Sequence, residues 1–421
     1  MLTDHERRAL DALDTDALLT SLTSLLAVPS VTGSPAESEL LAGLATECAQ
    51  AGLEVDHWAA DLAELRAAPD FPGTEADRDE LWGLVATSAP ADGPTVVLQG
   101  HVDVVPPGDR GTWSGEAFQP RLVDGRLIAR GACDMKAGVA ANLAVWRAIR
   151  AAGIQLPGRL ALHFVASEED GGLGAFATLQ RGHRGDACVI PEPTALRLVT
   201  ANCGALTFEL TVPGAAAHGS MRYAGVSAIE KFYPILQGLC ALEAERNADP
   251  DPLLAGFRIA APLSVGQVRA GDWPSTVPDS LVATGRYGVL LDEDPGAARA
   301  RFEQRVAEVC ADDPFLTDHP VVVRWTGGQF ASGRLPLGHP LRDVVAAAHG
   351  DTSNTGTGRP DEHGAPYGSD LRLYAGQGIP TLHYGPGRPD VAHTADEYVE
   401  LAEVVQTART LLVTTLRLLN V

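Results

Sequence analysis

TVVLQGHVDVV, residues 95–105, is a nearly continuous apolar run that closes on His101 and Asp103. Such a run fits a strand buried on both faces, the kind that lies inside a parallel sheet covered by helices. Working outward, an alanine-rich helix is expected over Ala137–Ala152 with Gly153 as its stop, then the strand RLALHFVAS (159–167) and the shorter strand ACVI (187–190). Upstream, Ser34-Pro35-Ala36-Glu37 reads as a capping box with proline at the first helical position. It opens a helix that closes at Gly52, before the strand-like LEVDHW (53–58). Alternating strands and helices predict an α/β layered core.

The pattern changes between Gly204 and about Gly328. There the order is strand (206–212), helix (227–247), two strands (263–268 and 281–291), helix (295–310) and strand (321–325). This β-α-β-β-α-β order predicts a separate small α+β, ferredoxin-like domain inserted into the first. Residues 1–203 and 329–421 then form the two parts of the larger domain, with 204–328 as the insertion. The last part carries the helix-like LRDVVAAAHG (341–350), the apolar IPTLHYGP (379–386) and a long final helix expected from Glu397. The segment 351–370 is a loop rich in Gly, Ser, Thr and Pro, and no internal repeat is present.

At 421 residues and 45% hydrophobic content, two cores can be buried without help from disulfides. The cysteines, Cys48, Cys133, Cys188, Cys203, Cys240 and Cys310, include no C-x-x-C pair, so a reducing compartment is the simpler reading. Residues 1–20 are charged and lack an apolar signal core, and no run of eighteen apolar residues occurs, which predicts a cytoplasmic protein with no membrane partner. A formal charge of -22 excludes a nucleic-acid surface, because phosphate neutralisation needs clustered Lys and Arg.

The placement of acids and histidines is the functional signal. His101 with Asp103, Asp134, Glu168 with Glu169, Glu192 and His393 mostly follow predicted apolar strands. In an open α/β sheet those ends line the ligand crevice. Imidazoles and carboxylates are ligands that Zn²⁺ accepts, and a carboxylate can bridge two ions. Strand alternation puts His101 and Asp103 on one side, so the Asp103 carboxylate can orient the imidazole. Taken alone, that pair also reads as polar residues at a strand end. Asp134, in RGACDMKAG before a helix, reads equally as an N-cap. Glu168 and Glu169 are adjacent carboxylates at the mouth of a buried strand, where repulsion is costly without a cation. Glu192, in PEPT, and His393, before a helix start, prove nothing individually.

Together, GHVDVVP (100–106), RGACDMKAG (130–138), SEEDGG (167–172), PEPT (191–194), AAAHGS (215–220), YGSD (367–370) and GPG (385–387) followed by AHTADEYV (392–399) form an ordered set. This set resembles the di-zinc peptidase and deacylase family that contains acetylornithine deacetylase, succinyl-diaminopimelate desuccinylase, aminoacylase and carboxypeptidase G. The resemblance implies Asp134 as the bridge between two zinc ions, with Glu169 and His393 on one and His101 and Glu192 on the other; cobalt can substitute. It implies Glu168 as general base, Asp103 behind His101, a cis Asp134-Met135 peptide, and an inserted lid through which two chains dimerise. His218 of AAAHGS would reach the partner subunit's site to stabilise an oxyanion.

Arg286 lies where relatives place an arginine near the substrate carboxylate, although a surface salt bridge reads nearly as well. Ser369 and Asp370 match a loop beside the substrate. AGDWPSTVPD (270–279) departs from the glycine-pair and asparagine pattern common in the family's lids, and Ala137 stands where glycine is usual. The implied function is hydrolysis of an N-acyl amino acid, or a related small N-acyl amine, by a metal-activated water. A dipeptidase or carboxypeptidase is the alternative within the same chemistry, and a non-catalytic metal-binding relative the alternative outside it. The absence of G-x-S-x-G, a P-loop and H-E-x-x-H excludes the corresponding serine-hydrolase, NTPase and thermolysin-like readings.

Overall fold

The apolar segments become the centre of a mixed sheet. In this computed structural model, residues 1–353 and 358–421 are described. The central strands Arg159–Val165, Thr95–His101, Ala187–Ile190 and Thr381–His383 lie side by side in that order and run parallel. Strands Glu54–Ala59 and Trp82–Thr87 extend one edge, with Trp82–Thr87 antiparallel to its central neighbour. Leu198–Asn202, Gly333–Arg334 and Glu362–Ala365 extend the other.

Residue alternation divides the central strands between two cores. Leu98, Leu160, Leu162 and Phe164 pack with the helices Thr15–Leu26, Pro35–Gln50, Ala137–Ala151 and Leu401–Leu418. Val97, Ala161, Val165 and Cys188 pack on the opposite face with Leu173–Gln180 and Leu371–Gly376. Burial on both faces is why these segments read as unbroken apolar runs. The parallel arrangement delivers the ends of all four central strands to one rim.

The expected β-α-β-β-α-β order is present between the strands of this sheet. Strands Leu263–Ala270, Ser280–Val289, Gly204–Pro213 and Val322–Phe330 form an antiparallel sheet in that spatial order. Helices Ala228–Arg246 and Pro295–Ala311 cover one face, and Leu206, Phe208, Tyr287 and Phe302 form a separate core beneath them. The chain is therefore a layered α/β body with a smaller α+β insertion.

Three local expectations are corrected. Ser34 precedes the helix Pro35–Gln50 but its side chain makes no capping hydrogen bond. Glu37 accepts instead from Gly33 N–H at 2.9 Å and Ser167 N–H at 3.2 Å, so it ties the helix start to the segment leading into Glu168. The strand opened at Thr95 ends at His101, not at Val105. The final helix begins at Leu401 because Tyr398–Glu400 pairs with Arg126–Ile128 as a strand. All six cysteines are free thiols, and Cys240 alone is exposed. No helix among the described residues is long and apolar enough to cross a membrane.

Candidate active site

Strand ends and two turns bring the candidate residues together. His101 ends its strand in register with Val165 of the neighbour, two residues before Ser167 and the Glu168-Glu169 pair. Glu192 follows the third parallel strand. Asp134 sits in the kinked turn Ala132–Lys136 immediately before Ala137–Ala151, with non-helical backbone angles, and its peptide bond to Met135 is cis. The turn is fastened by Glu397, which accepts from Cys133 N–H at 2.8 Å and Asp134 N–H at 3.0 Å while pairing with Arg130 at 2.5 Å. That commitment occupies the carboxylate at the point where the final helix was expected to begin. Ser167 and His393 hold φ of 65° and 62°, conformations costly for non-glycine residues and concentrated at functional sites.

Asp134 faces two imidazoles. Its Oδ1 is 3.1 Å from His101 Nε2, and its Oδ2 is 3.4 Å from His393 Nε2. Glu192 lies 3.8 Å from His101 Nε2, whereas Glu169 lies 3.1 Å from His393 Nε2. The carboxylate thus stands between two imidazole–glutamate pairs. Ligand atoms of His101, Asp134 and Glu169 all fall within 4.8 Å of one another.

Asp103 does more than orient His101. The nearest acceptor to His101 Nδ1 is the Asp103 backbone carbonyl at 2.9 Å, with the carboxylate at 3.6 Å. A carbonyl can only accept, so Nδ1 donates and Nε2 faces the acid cluster. The Asp103 carboxylate accepts from Glu168 N–H and Glu169 N–H, each at 3.2 Å, and from Thr32 Oγ1 at 2.9 Å. It holds both glutamates by their backbone.

The electrostatics follow from crowding. Burial raises the Glu168 carboxyl well above the usual range, and the Asp370 charge adds to this. Glu169 is raised by burial and then by Asp134, and Glu192 is raised by burial more than His101 offsets. Burial also acts to raise Asp134, but hydrogen bonds from His101 and His393 outweigh it and leave it low. His393 is pushed up to about 11 by Asp134 and then Glu169. Buried carboxylates that share too few protons, around inward-facing imidazole nitrogens, are the donor set of a dinuclear divalent-metal site. By that test the residues fit two divalent metal ions.

A cavity of about 460 Å³ opens over the cluster. Asp134, Glu168, Glu169, Glu192 and His393 form one wall, while Thr207, Arg286 and Phe330 of the inserted sheet form another. Arg286 makes no ion pair among the described residues, and its Nη2 is 3.4 Å from Pro366 O, so the surface-salt-bridge reading falls away. Ser369 lines the cavity, its Oγ 3.1 Å from His383 Nε2. Asp370 is fully buried behind that wall, accepts from Gln99 Nε2 at 2.8 Å, and is not among the lining residues. His218 is exposed on the inserted domain, its Nδ1 2.7 Å from Ser220 Oγ, and does not line this chain's cavity.

Sequence reasoning missed the support around the glutamates. Arg78 pairs with Glu37 at 3.2 Å and Asp170 at 3.5 Å, and Ser167 Oγ donates to Asp170 in a short hydrogen bond. Glu75 and Tyr367, both on the cavity wall, were also missed. Glu75 and Arg78 lie in a polar, glycine-interrupted stretch with no periodicity to mark them.

A model of peptidase family M20/M25/M40 matches residues 97–417. The chain is 34% identical to succinyl-diaminopimelate desuccinylase of Stenotrophomonas maltophilia, over 92% of this chain and 95% of that one. It is 26% identical to N-formyl-4-amino-5-aminomethyl-2-methylpyrimidine deformylase of Halalkalibacterium halodurans, over 87% and 86%. The structure of the dipeptidase Dug1p from Saccharomyces cerevisiae superposes with a TM-score of 0.77 at 16% identity, covering 100% of both chains.

Proposed function

The chain belongs to peptidase family M20/M25/M40, a family of amide hydrolases, and from that premise we propose that it is a cytoplasmic two-metal deacylase of small N-acyl amino acids or N-acyl amines. The observation that carries this reading is Asp134, with one oxygen toward His101 and the other toward His393, each imidazole backed by its own glutamate. In this reading Asp134 would be shared by two ions, with Glu169 and His393 available to hold one and His101 and Glu192 to hold the other. Bound zinc or cobalt would hold these carboxylates ionised, acidify water and polarise the amide carbonyl.

Glu168 lines the cavity without standing in either imidazole pair, which suits it to proton transfer. Its carboxylate takes a proton from the attacking water and returns it to the departing amine nitrogen. Asp103 positions it through the Glu168 N–H. Arg286 offers a bidentate site for a substrate carboxylate, and Ser369 flanks the same space. The inserted domain, residues 204–328, is proposed to form a homodimer in which His218 reaches the neighbouring cavity; its exposure supports this. The similarity to a desuccinylase and a deformylase favours acyl removal.

The metal-loaded chain should hydrolyse at least one of a panel of N-acetyl, N-succinyl and N-formyl amino acids, and metal analysis should give two ions per chain. Hydrolysis of dipeptides alone would replace the deacylase reading by a dipeptidase. Saturation at one ion with full activity would sink the two-metal reading.

A further inference from the structure

Where the inserted-domain wall of the cavity meets the larger domain, a guanidinium and a carboxylate stand near each other, and the hydrolytic step does not use them. Thr207 and Arg286 are direct cross-strand partners, so their side chains leave the same sheet face, and both line the cavity. Glu75 arrives from the larger domain, and its Oε1 accepts from Thr207 Oγ1 at 2.8 Å. Among the described residues its Oε2 accepts no hydrogen bond and it makes no ion pair with Arg286. Glu75 is exposed, and the two charges flank one position on the sheet without an ion pair, although the Glu75 charge still favours the protonated Arg286 guanidinium.

Glu75 is held in place. Gln329 N–H donates to Pro72 O at 2.8 Å, and Ala76 N–H donates to Asp170 Oδ2 at 3.0 Å. Gly327 lets the glutamate stem pass, since a Cβ there would stand 2.8 Å from Glu75 Cγ. The same short segment therefore grips the inserted sheet and the turn that carries Glu168.

We propose that Glu75 and Arg286 form a subsite for a free α-amino-acid head, with the α-carboxylate on Arg286 and the α-ammonium on Glu75. A simple anion would satisfy Arg286 and leave Glu75 unpaired, whereas a zwitterion satisfies both. A head bound this way cannot contain the scissile nitrogen as its α-amide. The preferred substrates are then ω-N-acyl diamino acids, whose amide lies at the far end of the side chain. This inference rests on the amide-hydrolase reading above.

The test pairs Nε-acetyl-L-lysine with 6-acetamidohexanoate, which differ only in the α-ammonium. kcat/KM is measured on the zinc-loaded chain, and Kd by calorimetry in the Glu168→Gln background. The ammonium-bearing compound should be favoured about 10- to 100-fold, the usual worth of a hydrogen bond to a charged group. Glu75→Gln keeps an acceptor for Thr207 and should bring that ratio close to one, while Arg286→Ala should weaken both compounds. Absence of the preference, or an equal loss of both compounds in Glu75→Gln, overturns the subsite. A calorimetric preference without turnover of either compound would leave the subsite standing and rule out acetyl as the acyl group removed.

Discussion

The two walls of the cavity are built on opposite principles. The wall from the parallel sheet packs Asp134, Glu168, Glu169 and Glu192 beside the buried His101 and the more exposed His393, mutually restrained. The wall from the inserted sheet spreads Thr207, Arg286 and Phe330 over an antiparallel face, with a single guanidinium and no ion pair among the described residues. Crowding on the first wall costs desolvation and repulsion that only cations or protons relieve, so every group there is tied to its neighbours. The second wall carries no such constraint. Reaction chemistry is thereby fixed on one side, and selectivity is left open to change on the other.

The largest expected effect tests whether the crowded wall divides its labour. Glu168→Gln keeps the shape of the side chain but cannot take a proton, so turnover should fall by ~10² to 10⁴ with metal content unchanged. Glu169→Gln removes a group 3.1 Å from His393 and should lose metal, with activity partly restored by excess zinc. Metal analysis beside single-turnover kinetics separates the two. Metal loss in Glu168→Gln with full retention in Glu169→Gln would reverse the assignment.

A second experiment asks whether the open wall borrows chemistry from another chain. His218 lies on the inserted domain, exposed and outside this chain's own cavity lining. His218→Ala should reduce turnover by roughly 10²-fold if it supplies an oxyanion donor. Mixing His218→Ala chains with Glu168→Ala chains should then recover part of the activity, because one site in each mixed dimer keeps both residues. Subunit exchange shown by labelling, without recovered turnover, would remove the trans role.

The first wall was legible in the sequence because burial leaves a pattern. Apolar runs such as 95–101 and 159–165 mark central strands, and an acid or histidine just beyond them is conspicuous. Asp103 was found, but its hold on the Glu168 and Glu169 N–H groups was not, since hydrogen bonds across 65 and 66 residues leave no local trace. Glu37 was read as part of a cap, when its buried carboxylate belongs to Ser167 and Arg78. Glu75 was invisible for a related reason. It sits in an irregular loop whose position is set by Gly171, Gly327 and Gln329, all distant in sequence. Asp370 was expected beside substrate but is buried behind the wall, which neighbouring motif letters do not distinguish from Ser369.

The smallest effect contrasts two histidines on paired parallel strands. His101 ends one strand among carboxylates, which hold its pKa well above the usual value despite burial. His163, opposite Gln99 on the next strand, is buried with its Nδ1 2.9 Å from Tyr374 Oη, and burial followed by the His183 charge depresses it to about 3. An unfolded chain protonates this group near its ordinary 6.5, whereas the folded chain refuses the proton until about 3. Its contribution to stability is therefore complete above pH 6.5 and is lost as pH falls toward 3. Each unit in that window costs at most ~1.4 kcal/mol for one such group. His383, depressed in the same way, adds to the slope in the wild type, so the informative quantity is a difference. His163→Gln removes one titration, and urea unfolding at pH 6.5 and 5.5 should show a pH dependence shallower than the wild type by about 1 kcal/mol per unit. Identical slopes would mean that His163 titrates alike in both states, and that burial in the sheet does not set it apart from an exposed imidazole.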